Sequence, residues 1–330
     1  MRVIASVLLV SVASAALAHH SPAMFDLTRT ITIEGTVERY EWANPHVYIH
    51  LRSSSGPWLV EVGSPSMMQR AGWRSDSLAA DDIVAVDVNP ARNAERRIGL
   101  GVAVRAQGRP ALGVRGAASA GTNPPPAAVP AQSLAGNWLP SPEPVYLQFV
   151  TAPTGWSLTP KALMALASVD PENNPGKDCI ALQAPFQMTW TDLKNIELAG
   201  RTVVLRSALN VGVERVVHLD VTTHEGAPVT NDGHSIGRFE NGVLVVDTRN
   251  FSGHPIGNRD GVPSGAQKHL VERFELSRDR TTLTYRFKLE DPEYLAEPFE
   301  GSAVWMHRPD LPYMAEKCDI ENARRYLEER

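Results

Sequence analysis

Apolar and polar residues alternate along most of this chain, and the alternation predicts strands. Thr30–Tyr40 sets Ile31, Ile33 and, after Gly35, Val37 apart from polar neighbours. His46–Leu51, Trp58–Val62, Asp82–Val88 and Gly99–Arg105 read the same way. Ser64–Gly72 is the one helical candidate among them, with Ser64 as N-cap and Pro65 in the first turn. Five short strands and one helix over residues 19–108 predict a small OB-like barrel. A second strand-rich region spans 134–330. Lys194–Leu198 and Thr202–Ser207 flank Ala199-Gly200, and Ser235–Glu240 and Val243–Thr248 flank Asn241-Gly242, the strongest hairpin signal in the chain. Glu214–Val221, Lys268–Ser277, Thr281–Leu289 and Ser302–His307 are further strands, and Asp319–Glu329 reads as a tail helix. The fold class is therefore all-β: a small OB-like barrel followed by a larger antiparallel, lipocalin-like barrel of eight or so strands.

The segment 109–133 separates the two. It contains Pro124-Pro125-Pro126, three glycines and many alanines, lacks apolar periodicity, and reads as a linker. At the other end, Met1-Arg2, an apolar run and Ala16-Leu17-Ala18 have the form of a secretory leader over 1–18, too short to span a membrane. Cleavage after Ala18 leaves His19 first. The expected location is periplasmic or secreted, with no membrane span after cleavage. A formal net charge of −5 argues against a nucleic-acid partner. The two cysteines, Cys179 and Cys318, are expected to pair in an oxidising compartment.

The residues HHSPAMFD from His19, with Gly35-Thr36-Val37, Trp42-Ala43-Asn44-Pro45-His46, Trp58-Leu59-Val60-Glu61, Arg70-Ala71-Gly72-Trp73 and Val88-Asn89-Pro90, resemble an exported bacterial family, the domain of unknown function DUF6152. The resemblance covers most of 19–108. It implies a small exported β domain and no established activity. Gly136-Asn137-Trp138 resembles the lipocalin G-x-W signature at the level of fold analogy. Gly233–Thr248, with Glu272-Arg273 and Glu290-Asp291-Pro292, resembles a group of uncharacterised exported proteins.

Three constellations carry candidate chemistry. An N-terminal His19 offers its α-amine and imidazole to one metal, a set that suits Cu(II), with His46 as preferred third ligand. His46 and His50 lie four apart on one predicted strand, about 13 Å at about 3.3 Å per residue, so one metal cannot use both. Copper is thus the possible cofactor. The competing reading is an ordinary chain terminus.

Second, His218, Asp220, His224, Asp232 and His234 lie in one strand and the loop after it. A histidine oriented by a carboxylate serves general-base chemistry or the outer shell of a metal site. A half-exposed polar loop is the plainer alternative. Gly233-x-Ser235-x-Gly237 has the letters of a nucleophile elbow, but a strand and hairpin follow instead of a helix, which excludes that chemistry.

Third, Arg215, Arg238, Glu240, Asp247, Glu272, Arg273 and Arg286 fall on predicted strands. They either face solvent or line the lumen as anchors for a ligand. The expected function is an exported binding protein whose larger barrel holds a small apolar molecule with a polar end. His234, Glu240, Asp247, Glu272 and Arg273 are its candidate ligand-binding residues. The rivals are a lipocalin-like hydratase or isomerase, using His218, Asp220, His224 and Arg273, and a copper-handling protein.

Overall fold

The computed structural model describes residues 25–107, 112–113, 128–141, 156–168, 175–189, 192–208, 212–259, 261–313 and 317–328. The expected leader, His19 and most of the segment 109–133 lie outside them. Strands β1 (Ile31–Glu41), β2 (Tyr48–Ser53), β3 (Gly56–Glu61), β4 (Ile83–Pro90) and β5 (Ile98–Ala106) form the small barrel. Strand β1 pairs with β4 through its first half and with β2 through its second. Gly35 sits at the overlap, where a Cβ would come within 2.7 Å of the Arg52 carbonyl oxygen. A parallel β3–β5 pairing closes the ring, and helix α1 (Pro65–Arg70) lies between β3 and β4, the OB arrangement the pattern predicts. Ser64 caps α1 by accepting a hydrogen bond from Met67 N, and Pro65 opens its first turn. The barrel core is Val37, Ile49, Leu51, Val60, Val86 and Val88, with Met68 and Trp73 closing one side.

Leu112 and Gly113, inside the expected linker, add a short strand β6 to the free side of β5. At the other end of that segment, Ala131 is buried in the larger barrel's core. The stretch available as a linker is thus shorter than composition suggests.

The larger barrel has nine strands: β7 (Gly136–Pro140), β8 (Lys194–Ala199), β9 (Thr202–Ser207), β10 (Val213–His218), β11 (His234–Glu240), β12 (Val243–Arg249), β15 (His269–Leu276), β16 (Thr282–Glu290) and β17 (Phe299–His307). A hairpin of β13 (His254–Arg259) and β14 (Val262–Ser264) stands outside the ring. Strand directions around a closed ring alternate without exception only when the strand number is even. Nine strands require an odd parallel contact, and it falls at β10–β11. Nine strands agree with the expected eight or so, and the one departure from the expected antiparallel form is this parallel contact. The additional strand is β7: the G-x-W segment is itself a strand, inserted between β17 and β8. Asn241 and Gly242 both take positive φ, 51° and 85°, as a two-residue hairpin with the twist of its strands requires. Short helices α2 (Pro160–Ala167) and α3 (Phe186–Thr189) lie in the connection between β7 and β8, and α4 (Ile320–Glu328) ends the described chain.

Cys179 and Cys318 are bonded, with Cα atoms 5.8 Å apart across 139 residues of sequence. Helix α4 bonds to the small barrel as well as to Asp178 in the β7–β8 connection, which Arg324 reaches. Asn322 Nδ2 donates to Glu41 Oε1 and to the His46 carbonyl, both at 2.9 Å, and Arg325 Nη1 donates to Glu41 Oε2 at 2.6 Å. The Arg325 guanidinium lies over the Tyr48 ring. The disulfide therefore fastens a segment of the second half to a helix that grips the first.

Candidate functional site

The lumen of the larger barrel is built by alternation. Leu244, Val246 and Thr248 turn inward on β12, and Leu270, Glu272 and Phe274 on β15. With Trp138, Tyr285, Phe287 and Trp305 they pack it solid: Tyr285 stacks on Trp305 at 5.3 Å and Phe274 lies 5.1 Å from Tyr285. Of the charged residues on the predicted strands Arg215 and Glu272 enter, and of the five candidate ligand-binding residues Glu272 does. It is 0% exposed and forms a buried pair with Arg215 at 2.7 Å, while Tyr285 donates to it at 2.9 Å. Burial opposes charge on Arg215, but the Glu272 carboxylate outweighs it and raises the guanidinium's pKa.

His234, Glu240, Asp247 and Arg273 take the opposite parity and face outward, so the expectation that they line the lumen is corrected. Arg273 bonds to Glu240, which also pairs with Arg238, in a solvent-facing ladder. An anion-stabilising role inside the barrel is closed to Arg273 by that placement. Asp220 pairs with exposed Arg201 at 3.1 Å and is not the carboxylate that orients the histidines.

That carboxylate is Asp247, and the outer face around it gathers four histidines. His224 Nε2 lies 3.0 Å from Asp247 Oδ1, and His269 Nε2 lies 3.0 Å from Oδ2. His269 Nδ1 continues to Glu290 Oε2 at 3.2 Å, and His224 Nδ1 stands 2.9 Å from His234 Nδ1. His218 stacks on His234, ring centres 5.3 Å apart. The parallel β10–β11 contact creates this face: the chain must cross from the end of β10 to the start of β11, and His224 lies on that crossing. The hydrogen bond that His269 donates to Asp247, against the cost of burial, raises the pKa of His269, whereas burial and the neighbouring imidazoles lower that of His234. Burial opposes ionisation of Asp247, but the bonds from His269 and His224 prevail and lower its pKa. Among the described residues, no group of three or more histidine, cysteine, aspartate or glutamate side chains is arranged to hold a metal ion. Sequence reasoning missed His269 and the bridging role of Asp247, because both depend on pairing across β12, β15 and β16.

A cavity of about 400 Å³ lies elsewhere, between the two barrels. The small barrel contributes Trp42, Ser66, Gln69 and the loop Gly72–Asp76; the larger contributes Leu193, Ala208 and Asp310–Pro312. Helix α1 presents Ser66 because Ser64 and Pro65 fix its first turn. Ser66 Oγ donates to Asp192 Oδ1 at 2.5 Å, and Asp192 is wholly buried. Trp73 commits its indole N–H to the Gly113 carbonyl, so β6 braces the cavity wall. Asp310 is neutralised by Arg308, whose two bonds at 2.8 Å hold its carboxyl below the usual range. Tyr313, next along the chain, is pushed up to about 12, chiefly by burial.

His46 precedes β2 and lies under α4, with its Nδ1 3.4 Å from the Val62 carbonyl and 3.7 Å from Glu61. Its expected partner His19 lies outside the described residues.

Residues 6–101 match the model of a family of unknown function, DUF6152. No curated protein and no solved structure matches the chain. The family match spans nearly all of the small barrel and leaves the nine-stranded barrel outside it.

Proposed function

We propose that this is an exported binding protein whose ligand lies between the barrels, not inside the larger one. The inter-barrel cavity carries the reading. Its volume falls within the range of small-molecule sites, about 300–1,000 Å³, and such sites favour domain junctions. Trp42, Leu193, Leu311 and Pro312 supply apolar walls, and a few polar groups supply orientation. The leader and the disulfide support work outside the cytoplasm.

The chemistry of Ser66 narrows the ligand. A hydroxyl has one proton, and here it is spent on Asp192. Toward the cavity Ser66 offers lone pairs alone, so the complementary ligand group is a donor: a hydroxyl or an amine on an apolar body.

The test uses 2-naphthol and 2-methoxynaphthalene, which share a ring system and differ in the donor. Titration by fluorescence is expected to show naphthol binding roughly tenfold or more tighter, the value of about one satisfied polar contact. Trp42→Ala should weaken both, and Ser66→Ala should erase the difference between them. Equal affinities in the unaltered protein, or binding untouched by Trp42→Ala, would overturn the proposal.

A further inference from the structure

We propose that the cavity between the barrels takes an organic cation, a protonated amine on an apolar body, drawn by the buried carboxylate of Asp192. The inference rests on the reading of that cavity as the ligand site and names the class of ligand.

Asp192 stands directly before Leu193 and is bonded to Ser66, and both of those residues line the cavity. Its two oxygens are unequal. Oδ1 accepts from the hydroxyls of Ser66 and Ser64, at 2.5 and 3.4 Å. Oδ2 is buried and has no hydrogen-bond partner among the described residues. Cations in the surroundings are committed elsewhere. Lys194 Nζ donates to Ser207 Oγ at 2.7 Å, Arg206 pairs with Glu197 and Glu214, and Arg308 pairs with Asp310. At the rim, exposed Arg74 and Asp76 carry opposite charges on one loop, so the charge left over is that of Asp192.

A carboxylate is costly to bury unless a cation or a full set of donors meets it. Two hydroxyls on one oxygen meet part of that need. Tyr313 Oη is a second buried atom with no hydrogen-bond partner among the described residues. Burial chiefly raises its pKa and the charge of Asp192 adds to this, which sets the phenol within reach of that carboxylate's field.

An ammonium group brings three donors and one positive charge. It can give a hydrogen to the lone pairs of Ser66 Oγ while its charge faces Asp192 across that serine. A neutral hydroxyl supplies the first contact and not the second. In an interior shielded from water, attraction between charges is much stronger than at the surface. The walls fit the same class: Trp42 and Trp73 line the cavity, and indole is the best aromatic partner for a cation. Trp73 is held by its bond to Gly113, and Trp42 by an edge contact with Tyr40, ring centres 5.9 Å apart. An anionic ligand would meet the same Asp192 charge as repulsion.

The experiment titrates the full chain by fluorescence at pH 7 with 2-naphthalenemethanol and 2-naphthalenemethylamine, which share ring and length and differ in the charge of the polar end. The amine is expected to bind roughly 10–100-fold tighter, the value of a polar contact made to a charged group. Asp192→Asn, which keeps the shape and an acceptor for Ser66, should erase the amine's advantage. Because the first comparison uses the unaltered protein, a variant that fails to fold does not spare the proposal. Equal binding of the two probes, both weakened by Trp42→Ala, would overturn the cation assignment and leave the cavity reading standing. Binding of neither probe, or binding untouched by Trp42→Ala, would overturn both. An amine advantage that persists in Asp192→Asn would remove Asp192 as its source and overturn the proposal.

Discussion

Arg215 and Glu272 form an ion pair in the centre of an aromatic lumen, and their value depends on keeping both. Removing one partner leaves an uncompensated charge, at a cost of about 3–5 kcal/mol. Glu272→Ala is expected to lose that much in urea unfolding, and Arg215→Met with Glu272→Leu to recover most of it. A single variant as stable as the unaltered chain would show that the pair is not shut away from water. The inward turn of Glu272 was only half legible. The stretch Leu270–Phe274 alternates, but Val271 shares the outer face with Arg273, and Glu272 shares the inner face with Leu270 and Phe274. A single strand of mixed character does not declare which face is core. The arginine that would settle it lies 57 residues away on β10.

Strands that alternate cleanly between turn residues were readable one by one. Both flanks of Asn241-Gly242, the capped helix after Ser64, and all five strands of the small barrel lie within a few residues of where pattern and turn chemistry set them. Strand β7 escaped because its five residues end at Pro140 and follow a segment of linker composition. Without it the strand count was even, and nothing called for a parallel contact or for the crossing that carries His224. The docking of α4 was equally hidden, since it depends on Glu41, 281 residues from Asn322. Cutting the disulfide therefore has a different expected outcome from loosening of the larger barrel alone. Cys179→Ser should lower the melting temperature and also raise hydrogen exchange around Glu41 and Tyr48 in the small barrel. Exchange confined to the larger barrel would contradict the clamp.

The same clamp predicts acid sensitivity. Burial opposes ionisation of Glu41, but hydrogen bonds from His50, Arg325 and Asn322 prevail and hold its carboxyl far below the usual range. A depressed folded pKa gives stability that is complete above the unfolded value of about 4.5 and drains away as pH falls below it. Glu41→Gln should lose stability at pH 7 and show a smaller further loss between pH 5 and pH 3 than the unaltered chain. Parallel pH profiles for the two proteins would remove Glu41 from the account.

At the scale of the whole molecule, the small barrel, the larger barrel and the tail form one scaffold around a shared cavity. Neither barrel supplies that cavity alone: Trp42 and Ser66 come from one, Leu193 and Leu311 from the other. No periodicity within a segment can reveal a site made by the meeting of two. The lumen looked the better candidate from sequence because its charges were visible and the volume of its aromatic filling was not. The most direct measurement is a crystal structure of the full chain saturated with 2-naphthol. One bound molecule is expected between Trp42 and Leu311, its hydroxyl donating to Ser66 Oγ, with the Arg215–Glu272 lumen unchanged. A molecule seated among Phe274, Tyr285 and Trp305, or a cavity left empty at saturation, would contradict it.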